Sequence, residues 1–187
     1  MRNPARHVHG AALLATGLLA GAFGYGAANV VPTFGAVPLD VRLTFHTTLM
    51  RVNEPVMQSA MALAILTSFG LAVLGRGLPR RLALGAGVLT VTSLLVTLFG
   101  NVPLHGHFRR WAATSAPAGH TEFLQRWELF HTIRTLTALS AFVVMVGIAV
   151  LARYEPVEGT RRPARSGDMA GGSSRDAAAT PARTPEA

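Results

Sequence analysis

Trp127, His131 and Arg134 stand at i, i+4 and i+7 of the segment RWELFHTIRTLTALSAFVVMVGIAV, so on a helix they share one stripe. Histidine changes charge nearest to neutral pH and suits proton transfer, while a guanidinium is permanently charged and suits an oxyanion. Trp127, with the neighbouring Phe130, offers flat faces on which an aromatic ring can stack. Arg134 lies roughly 10 Å along the helix from Trp127, and two placements are open for it. It either snorkels back to lipid headgroups while Trp127 sits in an interfacial aromatic belt, or the stripe turns towards the interior of a bundle.

A second concentration of polar residues is NVPLHGHFRRW, residues 101–111. Asn101 closes an apolar run, where it can cap a helix end or bring a side-chain amide to the stripe. His105 and His107 invite a metal, and Glu128 with His131 repeats the Glu-x-x-His spacing of metal sites in helical bundles, which His46 would complete. His-x-His is a weak signal outside a demonstrated cluster, and haem held by His46 and His131 is weaker still. Arg109 and Arg110 are expected to meet headgroups.

The elements that must position these groups are read from the charges. Residues 7–39, 55–75, 82–108 and 135–152 carry none, which gives windows of 33, 21, 27 and 18 residues. A helix crossing the hydrocarbon core needs about 20 predominantly apolar residues, so four spans are expected, over about 11–31, 55–75, 82–102 and 130–151. The fold class is all-α: an integral membrane four-helix bundle over residues 11–153, after a cytoplasmic segment 1–10 and before a disordered cytoplasmic tail 154–187. The tail is rich in Pro, Gly, Ser, Ala and Arg, with almost no large apolar residue to repay the entropy of ordering. A cleaved signal peptide is the alternative for the first run and would leave three spans, although the run exceeds the usual length of an h-region.

Punctuation between the spans follows Pro and Gly. Pro32 and Pro38 are expected to break the helix, Asp40 to cap the next, and Pro55 to kink it, with His46, Met50, Asn53 and Met57 on one face. GRGLPRR makes spans two and three an antiparallel hairpin, and AATSAPAGH is a loop before the last helix. Gly17 and Gly21, four apart, point to close helix packing. There is also an internal echo. ANVVP is followed by FHTTLMR, and GNVP by FHTIR, as if one two-helix unit were used twice; a true duplication would make Asn29, His46, Asn101 and His131 converge.

A net charge of +8 carried by 17 basic residues, all of them Arg, could suggest nucleic acid, but many of those residues sit at the ends of the apolar windows and membrane topology explains them better. Arg2, Arg6, Arg76, Arg80, Arg81, Arg153, Arg161, Arg162 and Arg165 flank one side, and Arg42, Arg51, Arg109, Arg110 and Arg126 the other. This asymmetry puts both termini in the cytoplasm of a multi-pass cell-membrane protein whose partners are the bilayer and no nucleic acid. The absence of cysteine removes disulfides, thiolate ligands and a cysteine nucleophile together.

A first span ending in Asn and Pro, a third ending NVPL and a fourth opening WELFHTIRT resemble the anthrone oxygenase-like family of four-span membrane proteins, over about residues 11–151. The family pattern usually has Asn after NVPL, where this chain has His105, followed by an unusual His107. The resemblance implies an oxygenase that acts on anthrones, tricyclic aromatic ketones, with dioxygen and no cofactor or metal. An anthrone has an acidic methylene whose enolate can itself reduce dioxygen. His131 would then be the base, Arg134 and Asn101 would stabilise the enolate oxygen, Trp127 and Phe130 would stack the substrate, and His46 and Asn29 would complete its pocket. Two other readings stand beside it: a non-catalytic membrane protein that binds or moves a small apolar or anionic molecule, with Arg134 as anion partner, and a His-ligated metal redox protein.

Overall fold

The computed structural model describes residues 4–154. Residues 1–3 and 155–187, with the expected disordered tail, lie outside the described residues. The described chain is helical, with no strand. Helix α1 (Pro4–Tyr25) passes through a π-helical turn, Gly26–Val30, into α2 (Val31–Ala36). Helix α3 (Leu39–Leu74) follows, and then α4 (Gly77–Val96), whose own π-helical turn, Thr97–Asn101, leads into α5 (Val102–Ala113). Helix α6 (His120–Tyr154) closes the bundle. Four stretches result that are long and apolar enough to cross a membrane: Pro4–Ala36, Leu39–Leu74, Gly77–Ala113 and His120–Leu151. They extend beyond the charge-free windows because helix continues into the polar flanks.

The two π-turns have one cause. Pro32 and Pro103 each lack an N–H and would press their rings on the carbonyl four residues back. Widening the preceding turn displaces that carbonyl, so Val31 N–H bonds to Gly26 O and Val102 N–H to Thr97 O, five residues apart. Pro32 therefore does not break the first helix; the interruption falls at Val37 and Pro38, where the backbone becomes extended. Asp40 lies in the first turn of α3 but makes no side-chain cap, and α3 runs without interruption through Pro55. Between α3 and α4 the chain reverses at Gly75–Gly77, where Gly77 takes φ 61°, a left-handed conformation suited to glycine.

Each helix packs against two others: α1 against α3 and α6, and α4 against the same pair, leaving α3 and α6 on a diagonal. Near the start of α1 the core is small-sided, with Ala12, Ala72, Ala83, Ala86 and Ala141 around Met145, and such residues let helices approach closely. Most hydroxyls within the interior bond their own helix, as Thr16 Oγ1 does to Ala12 O at 2.7 Å and Thr90 Oγ1 to Ala86 O at 2.8 Å, whereas Ser93 Oγ crosses from α4 to Arg134 O at 3.1 Å. At the other end the core is aromatic, built on Phe34, Phe108 and Trp127. Outward faces are apolar, with Leu66 70 % and Val73 80 % exposed. Hydrocarbon rather than water is the solvent that fits such faces, and a helix satisfies its backbone within it. The chain is a multi-pass membrane protein.

Candidate functional site

Side chains on a helix tilt towards its N-terminus, so Arg134, one turn after His131, reaches back to it. Arg134 Nε and Nη2 approach His131 Nδ1 at 3.1 Å and 2.7 Å. A guanidinium only donates, so His131 Nδ1 accepts and the ring hydrogen is carried by Nε2. The same spacing stacks His131 on Trp127, ring centroids 5.4 Å apart and planes 10° from parallel. Asn101 supplies the third contact from the second π-turn. With its amide oriented to match its neighbours, it donates to Trp127 O at 3.3 Å and accepts from Arg134 Nη1 at 3.3 Å.

Arg134 therefore does not snorkel: it is 5 % exposed and turned inward. Among the described residues no carboxylate pairs with it; Glu128 pairs with Arg42, and Glu54 faces the His105 ring instead. Its one compensating charge interaction is with the Phe23 ring, whose centroid lies 4.6 Å from the guanidinium carbon. Removing such a cation from water costs several kcal/mol, of which a cation–π contact returns about 2. Three of its five N–H groups are engaged by His131 and Asn101, leaving two. An anionic or strongly accepting oxygen is what such a group lacks.

The stripe borders a cavity of about 240 Å³ between α1, α3 and α6. Phe23, Gly26, Asn53, Trp127, His131 and Arg134 are on its wall, and the exposed Tyr25 stands at its rim. His131 Nε2 makes no hydrogen bond; the Phe23 carbonyl faces this ring outside bonding geometry. A Cβ at Gly26 would lie 3.1 Å from that nitrogen, so glycine there keeps the wall from closing on the ring.

The remaining expected site residues are placed differently. His46 is buried behind the indole, its centroid 4.5 Å from that of Trp127, 4.8 Å from Phe108 and 5.0 Å from Phe34. Both its ring nitrogens lack partners, and the crevice it lines, about 10 Å³, has room for about one water. Phe130 packs over Gly100, away from the cavity wall. Asn29 is exposed and donates to Tyr25 O at 3.3 Å, so the four residues of the echo do not all converge. Asn53 and Phe23 were not singled out as site residues from sequence; the signal for Asn53 was an amide in the stripe His46, Met50, Asn53, Met57.

His105 and His107 lie on α5 rather than in a loop. Trp127 Nε1 donates to His105 Nε2 at 3.3 Å, which puts the His105 hydrogen on Nδ1, 3.3 Å from Glu54 Oε2. His107 Nδ1 lies 3.2 Å from Arg110 Nη2, and Glu128 accepts from Arg42 at 2.8 Å. The His105 and Glu128 contacts join different helices at this end of the bundle, whereas that of His107 stays within α5. Among the described residues no three His, Asp or Glu side chains gather as a metal would need.

The comparisons with known proteins agree with this architecture in one respect. No curated protein and no solved structure matches the chain. The family described as anthrone oxygenase matches residues 45–144, more than half of the chain and both the NVPL turn and the Trp127, His131, Arg134 stripe. The chain belongs to the anthrone oxygenase family.

Proposed function

We propose that this protein is a cofactor-free oxygenase that converts an anthrone-like aromatic ketone to the quinone in the cavity beside Arg134. The observation that carries this reading is the buried guanidinium, without a carboxylate partner, on the wall of a cavity bordered by aromatic rings. Such a group stabilises the ionised enol of a ketone in a low-dielectric site, and does so most where charge develops. Trp127 and Phe23 supply aromatic contact for the substrate, and Asn101 positions Arg134 from behind.

The hydrogen bonds favour a role for His131 other than the base expected from sequence. A base needs a free ring lone pair, and Arg134 occupies the one on Nδ1. His131 instead holds the guanidinium in place and carries an N–H on its other side. Arg134 lowers the energy of the enolate, and the methylene proton leaves to solvent. The enolate carbon gives one electron to dioxygen, the resulting radicals join in a C–O bond, and the hydroperoxide takes up a proton. Loss of the remaining C–H proton with cleavage of the O–O bond expels water and leaves the second C=O. One oxygen atom enters the product and the other leaves as water.

The Arg asymmetry supports both termini in the cytoplasm of the cell membrane, which puts the cavity at the outer end of the bundle. Purified protein given an anthrone should consume dioxygen in equimolar amount to the quinone formed, and His131→Ala should abolish uptake while expression is intact. Unchanged uptake in that variant sinks the assignment of the site. Ligand binding without any uptake by the unaltered protein would favour the carrier reading.

A further inference from the structure

The cavity has a second polar pole. Asn53 lines it from α3, while Arg134 and His131 line it from α6, and those two helices are diagonal in the bundle. Most of the remaining wall is apolar, with Leu49, Met50 and Met57 flanking Asn53 on α3 and Ala22 and Val30 coming from the first span. No described side chain hydrogen-bonds the Asn53 amide, although the residue is half-buried and lies within a membrane span. Polar groups in such segments are retained where they have a partner to meet. Arg134 likewise keeps two N–H groups unspent, so the cavity offers donors at both sides and little polarity between them.

We propose that the ligand carries a hydrogen-bonding oxygen at each of two opposite edges, one held by Arg134 and the other by the amide of Asn53, and that Asn53 selects for the second. The inference rests on the placement of the substrate in this cavity. In an anthrone the ketone oxygen and the reacting carbon face away from each other across the central ring. With the ketone at Arg134, the carbon and the oxygen added to it fall at Asn53. The amide donates to the peroxide oxygen as the C–O bond forms, and to the quinone oxygen once water has left.

Two redox-inert probes separate this from a structural role: 9,10-anthraquinone, with an oxygen at both edges, and 9-fluorenone, a flat tricycle with one. Trp127 emission in a Trp111→Phe background, with the full chain in lipid nanodiscs, reports binding at the cavity wall. Asn53→Leu should weaken anthraquinone roughly tenfold, one hydrogen bond's worth, and leave fluorenone unchanged. Asn53→Gln, which keeps the amide, should recover part of the loss. Arg134→Gln should weaken both probes. Equal effects of Asn53→Leu on the two probes, or none on either, overturn the inference. Dioxygen uptake by the unaltered protein is scored separately: its absence alongside selective loss of anthraquinone sinks the oxygenase reading and leaves the two-edged ligand standing.

Discussion

The two π-turns arise from the same proline constraint and do opposite things. Thr97–Asn101 is closed against α6: Thr97, Gly100 and Asn101 are buried, and Asn101 holds Arg134. Gly26–Val30 has no buried residue, Asn29 faces outward, and the space left beside it is the cavity. The sequence difference is one residue. Asn29 is the fourth residue of its turn and Asn101 the fifth, because the first motif reads NVVP and the second NVP. One residue is roughly 100° around a helix, enough to take an amide from the interior to the outer face. Two similar motifs thus end differently: one turn clamps the charged group, and the other leaves the cavity open beside it.

Substituting the two asparagines in parallel tests that contrast most severely. Asn101→Leu leaves Arg134 Nη1 without its acceptor in the interior, removes the second bond to Trp127 O, and should cost about 2–4 kcal/mol in denaturant unfolding in micelles. Asn29→Leu should stay within about 0.5 kcal/mol, since it faces outward. Similar costs for the two would break the argument from register.

The glycines sharpen it. A Cβ at Gly100 would come within 2.7 Å of Phe130 Cγ, so Gly100→Ala should cost about 1–3 kcal/mol by forcing α6 away. At Gly26 the contact is 3.1 Å to a ring edge that can shift, so Gly26→Ala should cost less than about 1 kcal/mol yet lower dioxygen uptake by disturbing His131. A stability loss at Gly26 as large as that at Gly100 would mean that the first turn is not open.

A more modest effect than at Asn101 or Gly100 is expected on α5, which the second turn delivers. His105→Leu removes the acceptor for Trp127 Nε1 and should cost about 1 kcal/mol, with Trp127 emission shifted by the lost hydrogen bond. An unaltered emission spectrum would place the Trp127 indole elsewhere.

Much of the site was legible because local geometry carries it. Trp127, His131 and Arg134 share a stripe in any helix, and the reach of Arg134 back to His131 needs no tertiary contact. Pro32 was expected to end a helix because proline usually does, but a single wide turn accommodated it. His46 and Phe130 were expected at the substrate because aromatic and titratable residues near a site look alike in sequence. In the structure His46 packs against Trp127 and Phe130 over Gly100, and neither lines the cavity. The role of His131 as acceptor from Arg134 follows from a distance, not from residue type.

The sequence by itself determined four apolar helices, the family and the stripe on the last helix, since hydrophobic run length and helical period act locally and do not depend on what packs where. The tertiary structure alone decided which asparagine faces inward, which wall stays open and that Asn53 stands across from Arg134. Those depend on the rotation of one helix against another, which a one-residue difference in register sets and periodicity cannot report.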